Sequence, residues 1–361
     1  MAGKEALKGR GARSNATSRY VSDKREAFDD GWEPDQEEDA LPRLDTQLMP
    51  ERARRIISTN DSPDIGFDRS INPYKGCEHG CIYCYARPNH AYLGLSPGQD
   101  FETKIYFKPE GARLLEAELS KPSYRPKRIH IGGDTDPYQP AEKKLGITRG
   151  ILEVFDRFNH PVSIITKSHL ITRDVDILGR LAARNLASAC ISITTLDRTL
   201  ARDMEPRAAT PPRRLDAIKR LADAGVPVMV GFAPVIPGLN DQEMEAVLEA
   251  AAQAGATRAM FVTLRLPLEI KDLFREWLAD ARPDRASKIM SLIRQARGGR
   301  DYDPEWGSRM KGTGPLADIL AQRFAAACRR YRLNTTRVEA DLTAFRVPPK
   351  PGDQMSLFDA A

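Results

Sequence analysis

The feature that most constrains this 361-residue chain is a regular return of short β-branched and apolar runs, centred on Ile129, Ile164, Ile191, Val228 and Phe261. Successive centres lie 35, 27, 37 and 33 residues apart, about the length of one strand, one helix and their turns. The intervening segments read as helices. In Gly146–Phe158 the residues Ile147, Ile151, Leu152, Val154, Phe155 and Phe158 share one helical face. Thr210 suits an N-cap, Pro211 the first helical turn and Gly225 the C-terminal cap; Asn240 or Asp241 and Gly255 bracket the next helix in the same way. Arg69–Asn72 supplies an earlier strand. Six strands alternating with helices predict a parallel sheet with right-handed connections. Periodicity does not choose between an incomplete barrel and an open doubly wound sheet, but in both the ligand sits at the carboxyl ends of the strands.

Outside this rhythm the chain changes character. Met1–Arg25 carries seven Lys/Arg against Glu5 and Asp23, and Glu26–Asp39 carries eight acids and no base. Charge blocks with few aliphatics predict a solvated, disordered arm over residues 1–60. The basic N-terminal stretch has no apolar core of the signal-peptide kind, and no window approaches the ~20 apolar residues of a spanning helix, so a soluble cytoplasmic protein without membrane contact is expected. Pro348, Pro349, Pro351 and Gly352 predict a flexible tail over 347–361.

Arg69–Asn72 leads directly into Cys77-Glu-His-Gly-Cys81-Ile-Tyr-Cys84, three of the chain's five cysteines within eight positions. A glycine-punctuated loop of this kind lets three thiols converge on one centre, whereas five cysteines in a chain this long do not make a disulfide scaffold. A structural zinc site wants four ligands, and only His79 or His90 lies near enough to be the fourth. A ferredoxin cluster also wants four cysteines, and Cys190 and Cys328, the only others, read as buried core positions. Three ligands to a four-iron cluster leave one iron open, which suits catalysis.

The pattern Cys77-x-x-x-Cys81-x-Tyr83-Cys84, followed by five strand–helix units, resembles the cluster motif of the radical S-adenosyl-L-methionine (SAM) superfamily. The resemblance implies an α/β fold, a partial (β/α)6 barrel of TIM type over residues 61–283, and a 4Fe-4S cluster on Cys77, Cys81 and Cys84. It also implies that SAM chelates the open iron and is reductively cleaved to a 5′-deoxyadenosyl radical, with a low-potential electron donor as partner. Gly132-Gly133-Asp134-Thr135-Asp136-Pro137-Tyr138 and Ala233-Pro234-Val235 are similar to the spore-photoproduct-lyase-like branch, labelled DNA repair photolyases. That likeness implies Asp134, Thr135 and Asp136 near the SAM amino group, Lys167 at its carboxylate, Ser192 near its ribose and Tyr83 beside its adenine. The same branch uses a further cysteine near the end of its second strand to return hydrogen to product, yet no cysteine lies between Cys84 and Cys190 here. Tyr74, Tyr85 and Tyr138 are the alternative hydrogen donors.

From Arg282 to Lys350 there are 15 Lys/Arg against 7 Asp/Glu. This predicts a basic helical extension over 284–346, with Arg294, Arg297 and Arg300 at helical spacing and Arg329, Arg330 and Arg332 around Tyr331. Such a face suits a phosphate backbone or plain solvent. Gln354-Met-Ser-Leu357-Phe358 resembles the pentapeptide by which bacterial repair proteins dock on the sliding clamp, with two apolar anchors and a glutamine on a tether. The function expected is a lyase-like radical SAM enzyme acting on nucleic acid, with a DNA lesion favoured. The rivals are radical modification of a protein, peptide or small metabolite, and a non-catalytic zinc-binding module.

Overall fold

The computed structural model describes residues 10–22, 45–336 and 339–349. Six parallel strands appear where the apolar runs place them: β1 (Arg69–Ile71), β2 (Ile129–Ile131), β3 (Val162–Thr166), β4 (Ala187–Ser192), β5 (Val228–Val235) and β6 (Arg258–Thr263). They lie side by side in chain order, and Ile57–Thr59 adds an antiparallel edge beside β1. This is the sequential sheet of a partial (β/α)6 barrel.

The two faces of the sheet have different chemistry. Ile129, Ile131, Val162, Ile164, Ala189, Ile191, Val228 and Val230 are buried and join one apolar core with residues of the helices Ile147–Arg157, Val175–Ala182, Pro211–Asp223 and Met244–Gln253. Each fully buried Ile, Val or Phe there stabilises by about 1.5–3 kcal/mol relative to exposure. Across the opposite face, strand register brings His130, Ser163 and Ser188 into one row and Ile165, Cys190 and Met229 into another. The serines and the cysteine of these rows are too small to fill that face, and a cavity of about 510 Å³ runs along it.

The helix Pro211–Asp223 begins after Thr210 in extended geometry, though the Thr210 hydroxyl makes no capping bond, and Gly225 ends it at φ 75°. Among the described residues no helix is long and apolar enough to cross a membrane.

Two regions differ from expectation. Within the arm expected to be solvated over 1–60, Ala12, Ile56 and Ile57 are buried, and Gln47–Pro50 pairs in parallel with Lys104–Phe107 in a second sheet. The reason is polar: the backbone N–H groups of Ile56 and Ile57 donate to Glu118 Oε1 at 2.6 and 3.3 Å, and those of Gly11 and Ala12 donate to Glu102. In the extension, Arg297 is not on a basic face. It is 2% exposed and donates to the carbonyls of Thr263, Leu264, Ser308 and Arg309, while Arg294 pairs with Asp301 at 2.9 Å. The extension's long helix, Pro315–Arg330, packs on Met244–Gln253 through the Arg323–Glu245 pair and serves as the outer helix of the sixth unit. Gln354, Leu357 and Phe358 lie outside the described residues.

Candidate active site

The cysteine loop leaves β1 through the short strand Tyr74–Lys75, which pairs with Lys104–Phe107. The Cys77 N–H donates to Phe101 O at 2.9 Å, and the Ile82 N–H to Met204 O at 3.0 Å, pinning the loop at both shoulders. Gly76 and Gly80 adopt φ of 79° and 67°. A Cβ at Gly80 would stand 2.8 Å from Glu102 Oε2, so the loop's path needs glycine twice over. Arg87, fully buried, spends all five of its donors here: on the carbonyls of Gly80, Cys81, Pro97 and Gly98 and on Glu102 Oε1 at 2.5 Å.

Cys77, Cys81 and Cys84 all line the cavity. Burial pushes their thiols up, Cys81 to about 12, so it is the positive charge of bound iron that would stabilise them as thiolates. Neither nearby histidine completes a tetrahedral set. His79 Nδ1 faces Asp136 Oδ2 at 3.3 Å, and His90 packs edge-on against Phe101. Among the described residues no three His, Cys, Asp or Glu side chains converge as a single metal ion requires. Three soft thiols around a roomy cavity fit a cluster with one iron left open.

The residues expected to hold SAM all border this cavity, but they are not equivalent. Asp136 already accepts from Thr166 Oγ1 (2.7 Å), the Lys167 and Tyr138 N–H groups (2.8 and 2.9 Å) and His79. Its carboxyl falls to about 2; burial opposes the shift, and His79 and these donors overcome it. Among the described residues Asp134 accepts only from Asn89, at 2.7 Å, and burial lifts it to about 6. The Thr135 hydroxyl donates to Tyr74 O at 2.8 Å and keeps its lone pairs. Lys167 carries its Nζ 5.7 Å from the centre of the Tyr83 ring, with no ion pair to a described residue. Burial works against its charge, but Cys81 and Glu205 outweigh that and hold the ammonium above its ordinary value. Ser192 is buried at the end of β4 and donates to Ala233 O at 3.3 Å.

Sequence reasoning missed what holds Tyr83. Its hydroxyl bonds to Glu205, which also accepts from Thr194 Oγ1 at 2.5 Å and is paired with buried Arg214. One signal was present: Arg214 occupies the inner face of its helix with Ala217, Ile218 and Leu221, where an arginine needs a buried acid. Of the candidate hydrogen donors, Tyr74 and Tyr138 are buried with their hydroxyls on Glu142 and Asp174, and only Tyr85 borders the cavity. Cys328 is buried as expected, whereas Cys190, also buried, faces the cavity. Three further cations, Arg128, Arg258 and Arg265, line it too. None of them ion-pairs with a described residue; Arg265 stacks on Tyr85 at 5.1 Å and donates from Nη1 to Met310 Sδ at 3.6 Å, while its buried Nε has no partner among the described residues.

The radical SAM superfamily matches residues 71–251. An uncharacterized protein of Mycobacterium tuberculosis is 35% identical over 271 residues, 74% of this chain and 76% of that protein. An uncharacterized protein of Methanocaldococcus jannaschii is 29% identical over 202 residues, 55% of this chain and 71% of its own. Among solved structures, a spore photoproduct lyase with one cysteine replaced by serine superposes with a TM-score of 0.55 at 17% identity, covering 79% of this chain and 78% of that one. A second spore photoproduct lyase structure, with bound AdoMet and dinucleoside spore photoproduct, gives 0.52 at 15% identity, covering 79% and 77%. The motif, the three thiols on one cavity and the family match agree: this chain belongs to the radical SAM superfamily and is a radical SAM enzyme that uses a 4Fe-4S cluster and SAM.

Proposed function

We propose that this enzyme abstracts hydrogen from an anionic nucleic-acid substrate, with a DNA lesion favoured over an intact strand. The observation that carries the reading is the set of cavity cations that ion-pair with no described carboxylate: Lys167, Arg128, Arg258 and Arg265. Half-buried cations are costly when unpaired, and they are retained where a ligand brings the opposite charge. One of them, Lys167, suffices for the SAM carboxylate. The remaining three suit phosphate groups. A spore photoproduct lyase of similar fold holds a dinucleoside photoproduct together with AdoMet, which is consistent with this substrate class.

In this reading the chain's own residues divide the work. Cys77, Cys81 and Cys84 hold the cluster. Lys167 takes the SAM carboxylate, and Asp134 with the Thr135 hydroxyl takes the amino group, whose positive charge would draw the Asp134 carboxyl back down from about 6. Asp136, its lone pairs filled, orients the Lys167 backbone. Ser192 lies toward the ribose and Tyr83 toward the adenine, its hydroxyl anchored on Glu205. When bound, the cluster and SAM would supply a 5′-deoxyadenosyl radical for hydrogen abstraction. Apart from Tyr83 and the cluster thiols, Tyr85 and Cys190 are the phenol and the thiol that line the cavity among the described residues, and each carries an abstractable hydrogen.

The test is anaerobic. Reconstituted protein with SAM and dithionite is assayed for 5′-deoxyadenosine beside a Cys81→Ala control, with UV-irradiated DNA, undamaged DNA and a mixed peptide pool in parallel. Turnover stimulated by irradiated DNA alone is the expected result. Turnover indifferent to DNA and stimulated by peptide would overturn the nucleic-acid reading.

A further inference from the structure

The cysteine loop has an outer wall that no cluster motif foretells. We infer that the N-terminal segment 10–19 straps the back of this loop, and that its docking is what keeps the cluster in the protein. The inference rests on the cluster at Cys77, Cys81 and Cys84 and is independent of the substrate.

The contact is made by backbone at van der Waals limits. A Cβ added at Gly11 would fall 1.9 Å from Gly80 O, the carbonyl of the glycine between Cys77 and Cys81, and one at Gly98 would fall 2.1 Å from Ser14 O. Only glycine permits either approach. Glu102 is the hinge of the arrangement. On one side it accepts from the Gly11 and Ala12 N–H groups, at 2.9 and 2.8 Å, and on the other it holds Arg87. Arg87 in turn grips the carbonyls of Gly80 and Cys81 at 3.0 and 2.9 Å. Strap, carboxylate, guanidinium and cysteine loop therefore form one continuous chain of buried hydrogen bonds, and Ala12 packs in the same apolar cluster as Cys81, Ile82 and Tyr83.

Further bonds fix the strap along its length. Arg10 Nη1 donates to Glu102 O at 2.8 Å, Asn15 exchanges bonds with Asp100 at 3.1 and 2.9 Å, and the Ser18 hydroxyl donates to Ala91 O at 2.9 Å. Arg13 and Arg19 reach past the loop to Asp280 and Glu269, at 3.0 and 2.6 Å, on and beside the helix Ile270–Ala281. The segment is thus clamped between the loop and the helix that follows β6.

Without the strap, Glu102 would exchange its two fixed backbone donors for water, and Gly80 would lose the backbone packed against it. Removing groups that orient metal ligands from behind costs roughly 10–100-fold in metal affinity or activity. The segment is a positioning element, since none of its residues lines the cavity.

The experiment uses the full-length chain with Gly11→Val, which drives a side chain into Gly80 O, and separately with Asn15→Ala. Two quantities are read: the rate of tryptic cleavage at Arg13 and Arg19, which reports docking, and the rate at which an iron chelator bleaches the reconstituted cluster. Thermal unfolding of the apoprotein controls for the fold. The expected result for Gly11→Val is faster cleavage and bleaching at least about tenfold faster than wild type, with an apoprotein that still unfolds in one cooperative transition at a somewhat lower midpoint, and with Asn15→Ala intermediate. A strap released by cleavage beside a cluster retained at the wild-type rate would overturn the inference, and so would a strap that stays protected in Gly11→Val.

Discussion

Arg87 and Lys167 are cations beside the same three cysteines, and their surroundings differ in kind. On the loop side, Arg87 is fully buried and each of its donors meets a protein acceptor. On the strand side, Lys167 is held charged above the cavity with no ion pair to a described residue, and Arg128, Arg258 and Arg265 share that condition. Burial alone does not tell a structural charge from a functional one. Completeness of partners does. A satisfied charge fixes the shape of the site, and an unsatisfied one at a cavity waits for a ligand.

Exchanging each cation for methionine puts the largest effect on the loop side. Arg87→Met leaves the Glu102 carboxylate buried without its countercharge and frees four loop carbonyls, which should destabilise the apoprotein by about 3–5 kcal/mol in urea unfolding. Lys167→Met should leave unfolding within about 1 kcal/mol of wild type, because among the described residues no group loses an ion pair or hydrogen bond to its ammonium. Its cost appears in SAM affinity, weakened roughly ten- to hundredfold by equilibrium dialysis of the reconstituted protein, the worth of one charged hydrogen bond. Equal destabilisation by the two substitutions would break the distinction.

The two sides were also unequally legible in the sequence. Five strand centres are written as β-branched runs at repeating distances, and all five fall on observed strands. The thiols declare themselves by spacing. Glu102 carries no such mark: it lies 15 residues beyond Arg87, on no amphipathic face, and its partnership exists only after the loop closes. The strap is hidden for a related reason. Its docking relies on backbone N–H groups and on glycine's missing Cβ, which hydrophobic patterning does not register, so a charged, aliphatic-poor segment reads as solvated. Arg297 shows the converse error. Spacing puts it on a basic helical stripe with Arg294 and Arg300, yet the end of β6 before it and the chain that folds back beyond it each supply two carbonyls to its guanidinium. Cys190 was read correctly as buried, but hydropathy cannot say that the space beside it is empty rather than filled.

The smallest expected effect tests whether the strand-side cations are felt within the cavity. His130 lines it, stacked on Phe67 at 4.2 Å with Nδ1 3.0 Å from Ser163 Oγ. Burial, and then the charge of Arg128, lower it from 6.5 to about 4. Above pH 6.5 the imidazole is neutral in both the folded and the unfolded chain and contributes nothing to the pH dependence. As pH falls below 6.5 the unfolded chain binds a proton that the folded protein refuses, so stability drops until about pH 4, where the folded protein accepts it too. His90 and His160, lowered to about 4 and about 3 by burial, add losses of the same sign, so the wild-type slope is a sum. His130→Gln isolates one share: between neutral pH and the folded pKa its loss of unfolding free energy should be smaller than wild type by about 1 kcal/mol, allowing for solvent in the cavity. A nucleotide phosphate seated among the arginines would raise the His130 pKa and flatten the wild-type slope toward that of the variant, so the same titration with and without mononucleotide tests whether the unpaired cations bind such an anion. Identical slopes for wild type and variant would mean that water screens the cavity charge at His130, and the strand side would then differ from an ordinary solvated surface only at Lys167.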